Sequence, residues 1–199
     1  MSEPFILKIC GITNEEDARV SIESGANALG FNFCPASPRF VSPRRARDIA
    51  AAVPGDYLTV GVFVDASEPE LRETAAQAQL DIIQLHGNCA LPASLRVWRA
   101  IAASDGAGNP DPRIEAWLLD SAPHGGSGQT FDWKLAARFP RAILAGGLDA
   151  SNVAQAIGIA SPWGVDACSR LESSPGKKDP QKVRAFAQAA LAALHQATT

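Results

Sequence analysis

The sequence predicts an α/β protein, a single trimmed (β/α)8 TIM barrel over residues 1–199. Eight short runs rich in Val, Ile, Leu and Phe are apolar throughout, which is typical of parallel strands covered on both faces. Segments with helical spacing of apolar residues separate these runs, as in right-handed β–α–β crossovers. An open sheet of eight strands is unusual in a chain of 199 residues, so we expect the sheet to close.

The predicted strands are spread over the whole chain, and no low-complexity linker divides it. They are Phe5–Ile12, Ala28–Phe33, Thr59–Val64, Ile82–Leu85, Arg96–Ile101, Ala116–Leu119, Ala142–Ala145 and Gly164–Ala167.

The predicted helices carry recognisable start signals. Asn14, Ser42 and Ser67 each precede acidic residues or a proline, as N-cap residues do. The segments with helical spacing are Glu15–Glu23, Pro43–Ala52, Glu68–Gln79, Trp133–Arg138, Asn152–Ile157 and Gln181–His195.

The chain is short for such a barrel, since about 250 residues are typical. The Gly/Pro/Asp-rich stretch Ser104–Pro112 stands where the fifth helix belongs, and little room is left for a fourth helix between Gly87 and Arg96. We therefore expect a degenerate fifth helix and a short fourth one.

Composition excludes several classes of protein. The net charge of −3 argues against a nucleic-acid partner, and we interpret the cluster Arg44, Arg45 and Arg47 as a solvated helix face. Four cysteines without a Cys-x-x-Cys pair and three histidines predict neither a metal site nor a disulfide framework. With no secretion signal at the N-terminus and no apolar run long enough for a membrane span, we expect a soluble, cytoplasmic protein.

Polar and small residues collect at the predicted carboxyl ends of the strands, where such barrels carry their active sites. Cys10 lies near the carboxyl end of strand 1 and Asp120 comes directly after strand 6, so a base and an acid could flank a sugar carbon. Lys8, two residues before Cys10, points to the same face of the strand and favours a thiolate. Taken singly, Cys10 is better explained as a buried structural cysteine, and Asp120 as a cap of the following turn.

Two loops are suited to phosphate. Gly146 and Gly147 follow strand 7 and lack a Cβ, so their backbone can approach an anion closely. The stretch Ser173–Gly176 follows strand 8, and phosphate often binds between these two loops. The alternative is that both are ordinary turns.

Three further features admit two readings. Arg39, in a proline-flanked loop, is either a carboxylate-binding arginine or a surface arginine. His86 is either a ligand contact or a satisfied histidine at the rim. The glycine-rich stretch Gly125–Gly128 is either a lid over a bound ligand or a loop without a role.

Seven sequence blocks in one order resemble the phosphoribosylanthranilate isomerase family and span nearly the whole chain. They are Lys8–Thr13, Gly30-Phe31 through Ser37–Arg39, Gln84–Gly87, Leu118–Asp120, Gly125–Trp133, Ala145–Leu148 and Val165–Asp179.

The resemblance implies an Amadori rearrangement of N-(5′-phosphoribosyl)anthranilate in tryptophan biosynthesis, without metal or organic cofactor. It implies that Asp120 is the general acid and Cys10 the general base, and that Arg39 pairs with the substrate carboxylate. It also implies that Gly147 and the turn Cys168–Arg170 hold the phosphate. Family members commonly have Ser-Ser-Gly at that turn, so Cys168, Ser169 and Arg170 depart from the pattern, and Arg170 would be strained if a positive φ is needed.

Other functions remain open at this point. A related aminoaldose isomerase of histidine biosynthesis, or a bifunctional relative, would run the same chemistry on a bis-phosphorylated substrate, but the exit of strand 3 lacks a Gly-Gly turn. A non-catalytic barrel that binds a phosphorylated ligand is the third candidate. The expected partner is a phosphorylated small molecule, and the chain is either a monomer or a homodimer.

Overall fold

The computed structural model describes residues 4–105, 111–121 and 130–197. Eight parallel strands close into a barrel in sequence order, which confirms the predicted fold and each predicted strand. The strands are β1 (Ile6–Cys10), β2 (Ala28–Asn32), β3 (Leu58–Val64), β4 (Ile82–His86), β5 (Val97–Ala102), β6 (Ile114–Asp120), β7 (Ala142–Leu144) and β8 (Gly164–Ala167).

The predicted helices around the barrel form with small shifts at their ends. Asn14, Ser42 and Ser67 cap the first three helices through side-chain oxygens that accept backbone N–H groups, as predicted. The α-helices are α1 (Glu15–Glu23), α2 (Pro43–Ala51), α3 (Glu68–Ala78), α4 (Val153–Ala160) and α5 (Pro180–Ala197). None of the helices in the described ranges is long and apolar enough to cross a membrane.

The barrel is trimmed on one side. Residues 87–96, all of them described, contain no helix, so the expectation of a short fourth helix was wrong. This stretch holds only turns before Arg96, and Gly87 at its start has a φ of 67°. A single 3-10 turn, Ala103–Asp105, follows β5, and the rest of the predicted loop lies partly outside the described residues. Trp133–Arg138, predicted as a helix, forms a 3-10 helix.

A short hairpin follows β8 and was not predicted. A 3-10 turn, Ser169–Leu171, leads into β9 (Glu172–Ser174), which pairs with β10 (Lys177–Lys178) in antiparallel fashion. The stretch Ser173–Gly176 therefore forms one strand and the turn of this hairpin. The Thr13 hydroxyl donates to the Gly176 carbonyl at 2.6 Å, which ties the hairpin to the loop after β1.

Side chains alternate between the barrel interior and the surrounding helices, as the period of two requires. On β1, Leu7 and Ile9 pack outward against the helices, whereas Ile6 belongs to a separate cluster inside the barrel. Trp98 fills the barrel interior towards the amino-terminal ends of the strands and packs edge to face against Trp163, with ring centroids 6.0 Å apart. These side chains pack the amino-terminal part of the barrel interior, and a cavity lies at the carboxyl ends of the strands.

Candidate active site

A cavity of about 340 Å³ lies at the carboxyl ends of the strands. It is lined by most of the residues that the sequence nominated: Cys10, Arg39, His86, Asp120, Cys168 and Ser169. A smaller recess of about 40 Å³ adjoins it between the loops after β7 and β8, and Gly146, Gly147 and Arg170 line that recess. The barrel thus brings together residues that lie up to 160 positions apart.

Cys10 ends β1 and is 8% exposed, so its thiol is covered on most sides but borders the cavity. The pKa of this thiol lies well below its ordinary value, first because the Cys168 thiol donates a hydrogen bond to it. Burial opposes the effect, and the ammonium groups of Lys8 and Lys178 add to it. The surroundings of Cys10 therefore favour its thiolate form.

Lys8 lies beneath Cys10 with no exposed surface, and its Nζ donates to Asp166 Oδ1 at 2.9 Å. Burial alone lowers the pKa of Lys8, but the charges of Asp166 and Cys10 outweigh burial and raise it. The predicted effect of Lys8 on Cys10 is supported, with Asp166 as a partner that the sequence did not identify. Burial raises the pKa of Asp166 to about 7, although the Lys8 ammonium lowers it.

Asp120 ends β6 and is 6% exposed at the cavity. Ser121 Oγ donates to its Oδ1 at 3.2 Å. Gly146, whose φ is 76°, faces the same oxygen, since a Cβ at this position would stand 2.8 Å from Asp120 Oδ1. The glycine is needed both for its left-handed backbone and for the close approach of the loop to the carboxyl group.

Arg39 lies in the loop after β2, which a β-bridge between Asn32 and Phe40 holds against the barrel. Its Nε and one terminal nitrogen donate to the two carboxylate oxygens of Glu172, each at 2.7 Å. Lys178 Nζ also donates to Glu172 Oε1 at 3.0 Å. Burial raises the pKa of Glu172, but these two cations outweigh it and the pKa falls below its ordinary value.

The smaller recess has the character of an anion site. Gly147 has a φ of 64°, and its carbonyl accepts the side-chain amide of Asn152 at 2.9 Å. Within the described part of the chain, the backbone N–H groups of Gly147 and Ser169 donate to no protein acceptor. Backbone donors of this kind at a loop rich in glycine favour phosphate.

Two expectations about the loop after β8 need correction. Ser173–Gly176 forms the hairpin described above and packs towards Thr13 and Pro38, so it is not part of the recess. Arg170 lies in a 3-10 turn and its φ is outside the left-handed region, so its backbone carries no strain of the kind anticipated. One guanidinium nitrogen of Arg170 lies 3.3 Å from Asp149 Oδ2. Gly125–Gly128, the predicted lid, lies outside the described residues.

His86 ends β4 and borders the cavity, and its Nε2 lies 2.9 Å from the amide nitrogen of Gln84. Gln84 was not nominated as a site residue. It is 2% exposed, lines the cavity, and its Oε1 has no hydrogen-bond partner among the described residues. A buried acceptor without a donor costs about 1–3 kcal/mol, so a ligand hydroxyl or N–H group is its natural partner.

Sequence reasoning missed four polar residues around the cavity, and their signals differ. Gln84 interrupts an otherwise apolar strand two residues before His86, and Asp166 interrupts another strand opposite Lys8. A polar residue within an apolar strand can be recognised in the sequence. Glu172 and Lys178 follow β8 in a short charged stretch, but nothing local shows that Arg39 is their partner. Among the described residues, no group of three or more His, Cys, Asp or Glu side chains is arranged to hold a metal ion.

Comparison with known proteins identifies relatives of this chain. Residues 7–189 match the family model for N-(5′-phosphoribosyl)anthranilate isomerase. The isomerase of Solibacter usitatus is 50% identical, with 96% of this chain and 99% of that protein covered. The crystal structure of the isomerase from Thermus thermophilus has a TM-score of 0.85 at 34% identity, covering 95% of this chain and 99% of that one.

A third comparison concerns a ligand complex. One isomerase structure in complex with reduced 1-(o-carboxyphenylamino)-1-deoxyribulose 5-phosphate has a TM-score of 0.81 at 35% identity, covering 94% of this chain and 99% of that one. Because the family model spans most of the chain and the relatives match over nearly their full length, this chain belongs to the N-(5′-phosphoribosyl)anthranilate isomerase family.

Proposed function

We propose that this chain converts N-(5′-phosphoribosyl)anthranilate into 1-(2-carboxyphenylamino)-1-deoxyribulose 5-phosphate, with Cys10 as general base and Asp120 as general acid. The observation that carries the proposal is that these two side chains end β1 and β6 and border one cavity beside a recess suited to phosphate. Acid–base catalysis is sufficient for this rearrangement because the imine nitrogen formed on ring opening accepts the electron pair released at C2′.

Asp120 begins the reaction. Its protonated carboxyl group donates to the furanose ring oxygen, the bond between C1′ and that oxygen breaks, and the nitrogen lone pair forms an iminium. The close contact with Gly146 fixes the carboxyl group at the edge of the phosphate recess. A substrate anchored there by its 5′-phosphate would therefore hold its ring near Asp120.

Cys10 acts next. Its thiolate removes the proton from C2′, and the electron pair moves through the C1′–C2′ bond onto the iminium nitrogen, giving an enolamine. Tautomerisation of the enolamine gives the ketone. The lowered pKa of Cys10 supports this role because a thiolate, and not a thiol, is the base.

The remaining residues bind the substrate. Gly147 and Ser169 offer backbone N–H groups to the phosphate, with Gly146, Cys168 and Arg170 forming the rest of the recess. The ion pair with Glu172 holds the Arg39 guanidinium at the cavity wall. The guanidinium donors that Glu172 does not occupy bind the anthranilate carboxylate. His86 and Gln84 contact the sugar from the opposite wall.

A bis-phosphorylated substrate fits this barrel poorly. Such a substrate would need a second phosphate-binding site at the carboxyl end of β3. There, Asp65 Oδ1 accepts the backbone N–H of Asn88 at 2.6 Å. A carboxylate already occupies the donor that a phosphate would use, and its charge repels an anion. This feature favours the substrate with a single phosphate.

The role of Asp120 is tested by Asp120→Asn, which keeps the shape of the side chain but cannot donate the proton. We expect kcat for N-(5′-phosphoribosyl)anthranilate to fall by at least about 100-fold, as loss of a general acid does. Conversion is followed by chromatographic separation of substrate and product, with circular dichroism to verify the fold. Asp48→Asn, at an exposed pair with Arg47 on α2, is the matched control, and near-native kcat in Asp120→Asn would rule out the proposed acid.

A further inference from the structure

Two cysteines from neighbouring strands meet at the mouth of the barrel. Lys8 pairs with Asp166 and Ile9 with Ala167 across β1 and β8. The paired register ends there, and Cys10 and Cys168 are the next residues along the two chains. Neighbouring strands lie ~4.8 Å apart, a separation within the range of Cα distances that a disulfide spans.

Each sulfur atom lies close to a glycine of the adjoining backbone. A Cβ on Gly30 would stand 2.7 Å from Cys10 Sγ, and a Cβ on Gly11 would stand 2.9 Å from Cys168 Sγ. Gly11 and Gly30 are themselves joined by a backbone hydrogen bond of 3.0 Å. The Cys168 side chain is the leading influence that lowers the pKa of Cys10, and both thiols are free.

The pair is chemically asymmetric and open to small molecules. Both cysteines border the cavity. The hydrogen bond and nearby ammonium groups lower the pKa of Cys10, whereas the same bond and burial hold the pKa of Cys168 well above its ordinary value. These surroundings favour the nucleophilic thiolate at Cys10 and the thiol at Cys168, which is the form that resolves an oxidised partner.

We propose that Cys10 and Cys168 form a redox-responsive pair in which a hydroperoxide oxidises Cys10 and Cys168 then closes a disulfide across β1 and β8. The expected loss of activity rests on the proposed role of Cys10 as the base. The disulfide itself does not depend on that role.

The chemistry balances in two steps. The Cys10 thiolate attacks the terminal peroxide oxygen, the O–O bond breaks, and the leaving alkoxide or hydroxide takes a proton from water, which leaves Cys10 as a sulfenic acid. Cys168 sulfur then attacks Cys10 sulfur, the S–O bond breaks, and the departing hydroxide combines with the Cys168 proton as water. The two sulfurs lose two electrons in total, and the peroxide gains them.

The other cysteines are not equivalent. Cys89 accepts the backbone N–H of Ala66 at 3.2 Å and donates to the His86 carbonyl at 3.3 Å, and burial raises the pKa of its thiol. Cys34 borders the cavity but lies in the loop after β2, away from the β1–β8 register. Cys34→Ser is therefore the matched control for Cys168→Ser.

The test treats the full chain with hydrogen peroxide, maps cysteine states by mass spectrometry, and measures turnover before and after dithiothreitol. We expect a Cys10–Cys168 disulfide in the native chain and in Cys34→Ser, with turnover lost in both and restored by dithiothreitol. In Cys168→Ser the Cys10 sulfenic acid has no thiol to resolve it. We expect a dimedone adduct at Cys10 in that variant and, without dimedone, sulfinic acid that dithiothreitol does not reduce.

The outcomes separate the two proposals. Sulfinic acid at Cys10 beside a free Cys168 thiol in the oxidised native chain would overturn the redox pair, whatever the activity. A mapped disulfide with undiminished turnover would support the pair and overturn Cys10 as the base. The mapping in the native chain needs no variant, so the test holds even if Cys168→Ser folds poorly.

Discussion

Lys8 is a cation without exposed surface. It lies two residues before Cys10, the proposed base, on the same face of β1. An ammonium in such a place is stable only because Asp166 pairs with it at 2.9 Å, since an unpaired buried charge is very unfavourable. The same charge stabilises the Cys10 thiolate. The residue therefore links a structural ion pair to the reactivity of the cavity.

Replacing Lys8 with Met removes this charge and keeps the length of the side chain. The pKa of Cys10 is lowered in the native chain, so its thiolate is lost as the pH falls through that pKa, and kcat/KM falls with it. Without Lys8 the pKa rises, and we expect the acid limb of the kcat/KM profile to move up by about one pH unit or more. The measurement is the pH dependence of kcat/KM.

Lys177→Met at the exposed end of the hairpin is the control, and its acid limb should stay in place. An unshifted limb in Lys8→Met would show that Lys8 does not act on the base. The variant also leaves Asp166 buried without its partner, for which we expect a loss of about 3–5 kcal/mol in the free energy of unfolding.

At the scale of elements, the loop after β7 shapes both the acid and the phosphate recess. Gly146 is fixed by its φ of 76° and by its contact with Asp120 and with the backbone N of Ser121, which a Cβ would approach to 3.0 Å. Backbone atoms cannot move aside as a flexible side chain can. The loop therefore depends on glycine at this position.

Gly146→Ala should displace this loop from Asp120. We expect a lower kcat, a higher KM and a loss of about 1–2 kcal/mol in the free energy of unfolding, because alanine is strained at positive φ. Gly158→Ala is the control, since Gly158 lies within α4 with open space around its Cα. That change should leave kinetics unaltered and stabilise the helix by about 0.5–1 kcal/mol. Native kinetics in Gly146→Ala would contradict the account of this loop.

Local patterns predicted most elements because each depends on few neighbours. The caps Asn14, Ser42 and Ser67 and the apolar strands follow from residues within one turn or one strand. The missing fourth helix and the hairpin after β8 could not be predicted from such local patterns. Whether a short connection forms a helix or a hairpin depends on what it packs against, here Thr13 and Pro38 from other loops.

At the scale of the whole molecule, barrel closure decides which residues meet. Lys8 and Asp166 are 158 positions apart, and Arg39 and Glu172 are 133 apart. The sequence could place Cys10, Arg39 and Asp120 at the same end of the barrel, because all follow strands. It could not identify ion-pair partners, because these depend on the register between β1 and β8 and on the unpredicted hairpin.

In the proposed mechanism, barrel closure makes Cys10 the base of a proton transfer. Its most direct test is kcat for N-(5′-phosphoribosyl)anthranilate in Cys10→Ala, beside Cys34→Ala, which changes another cysteine at the same cavity. We expect a fall of at least about 100-fold for Cys10→Ala, with the fold intact, and at most a small change for Cys34→Ala. A kcat near that of the native chain in Cys10→Ala would contradict it.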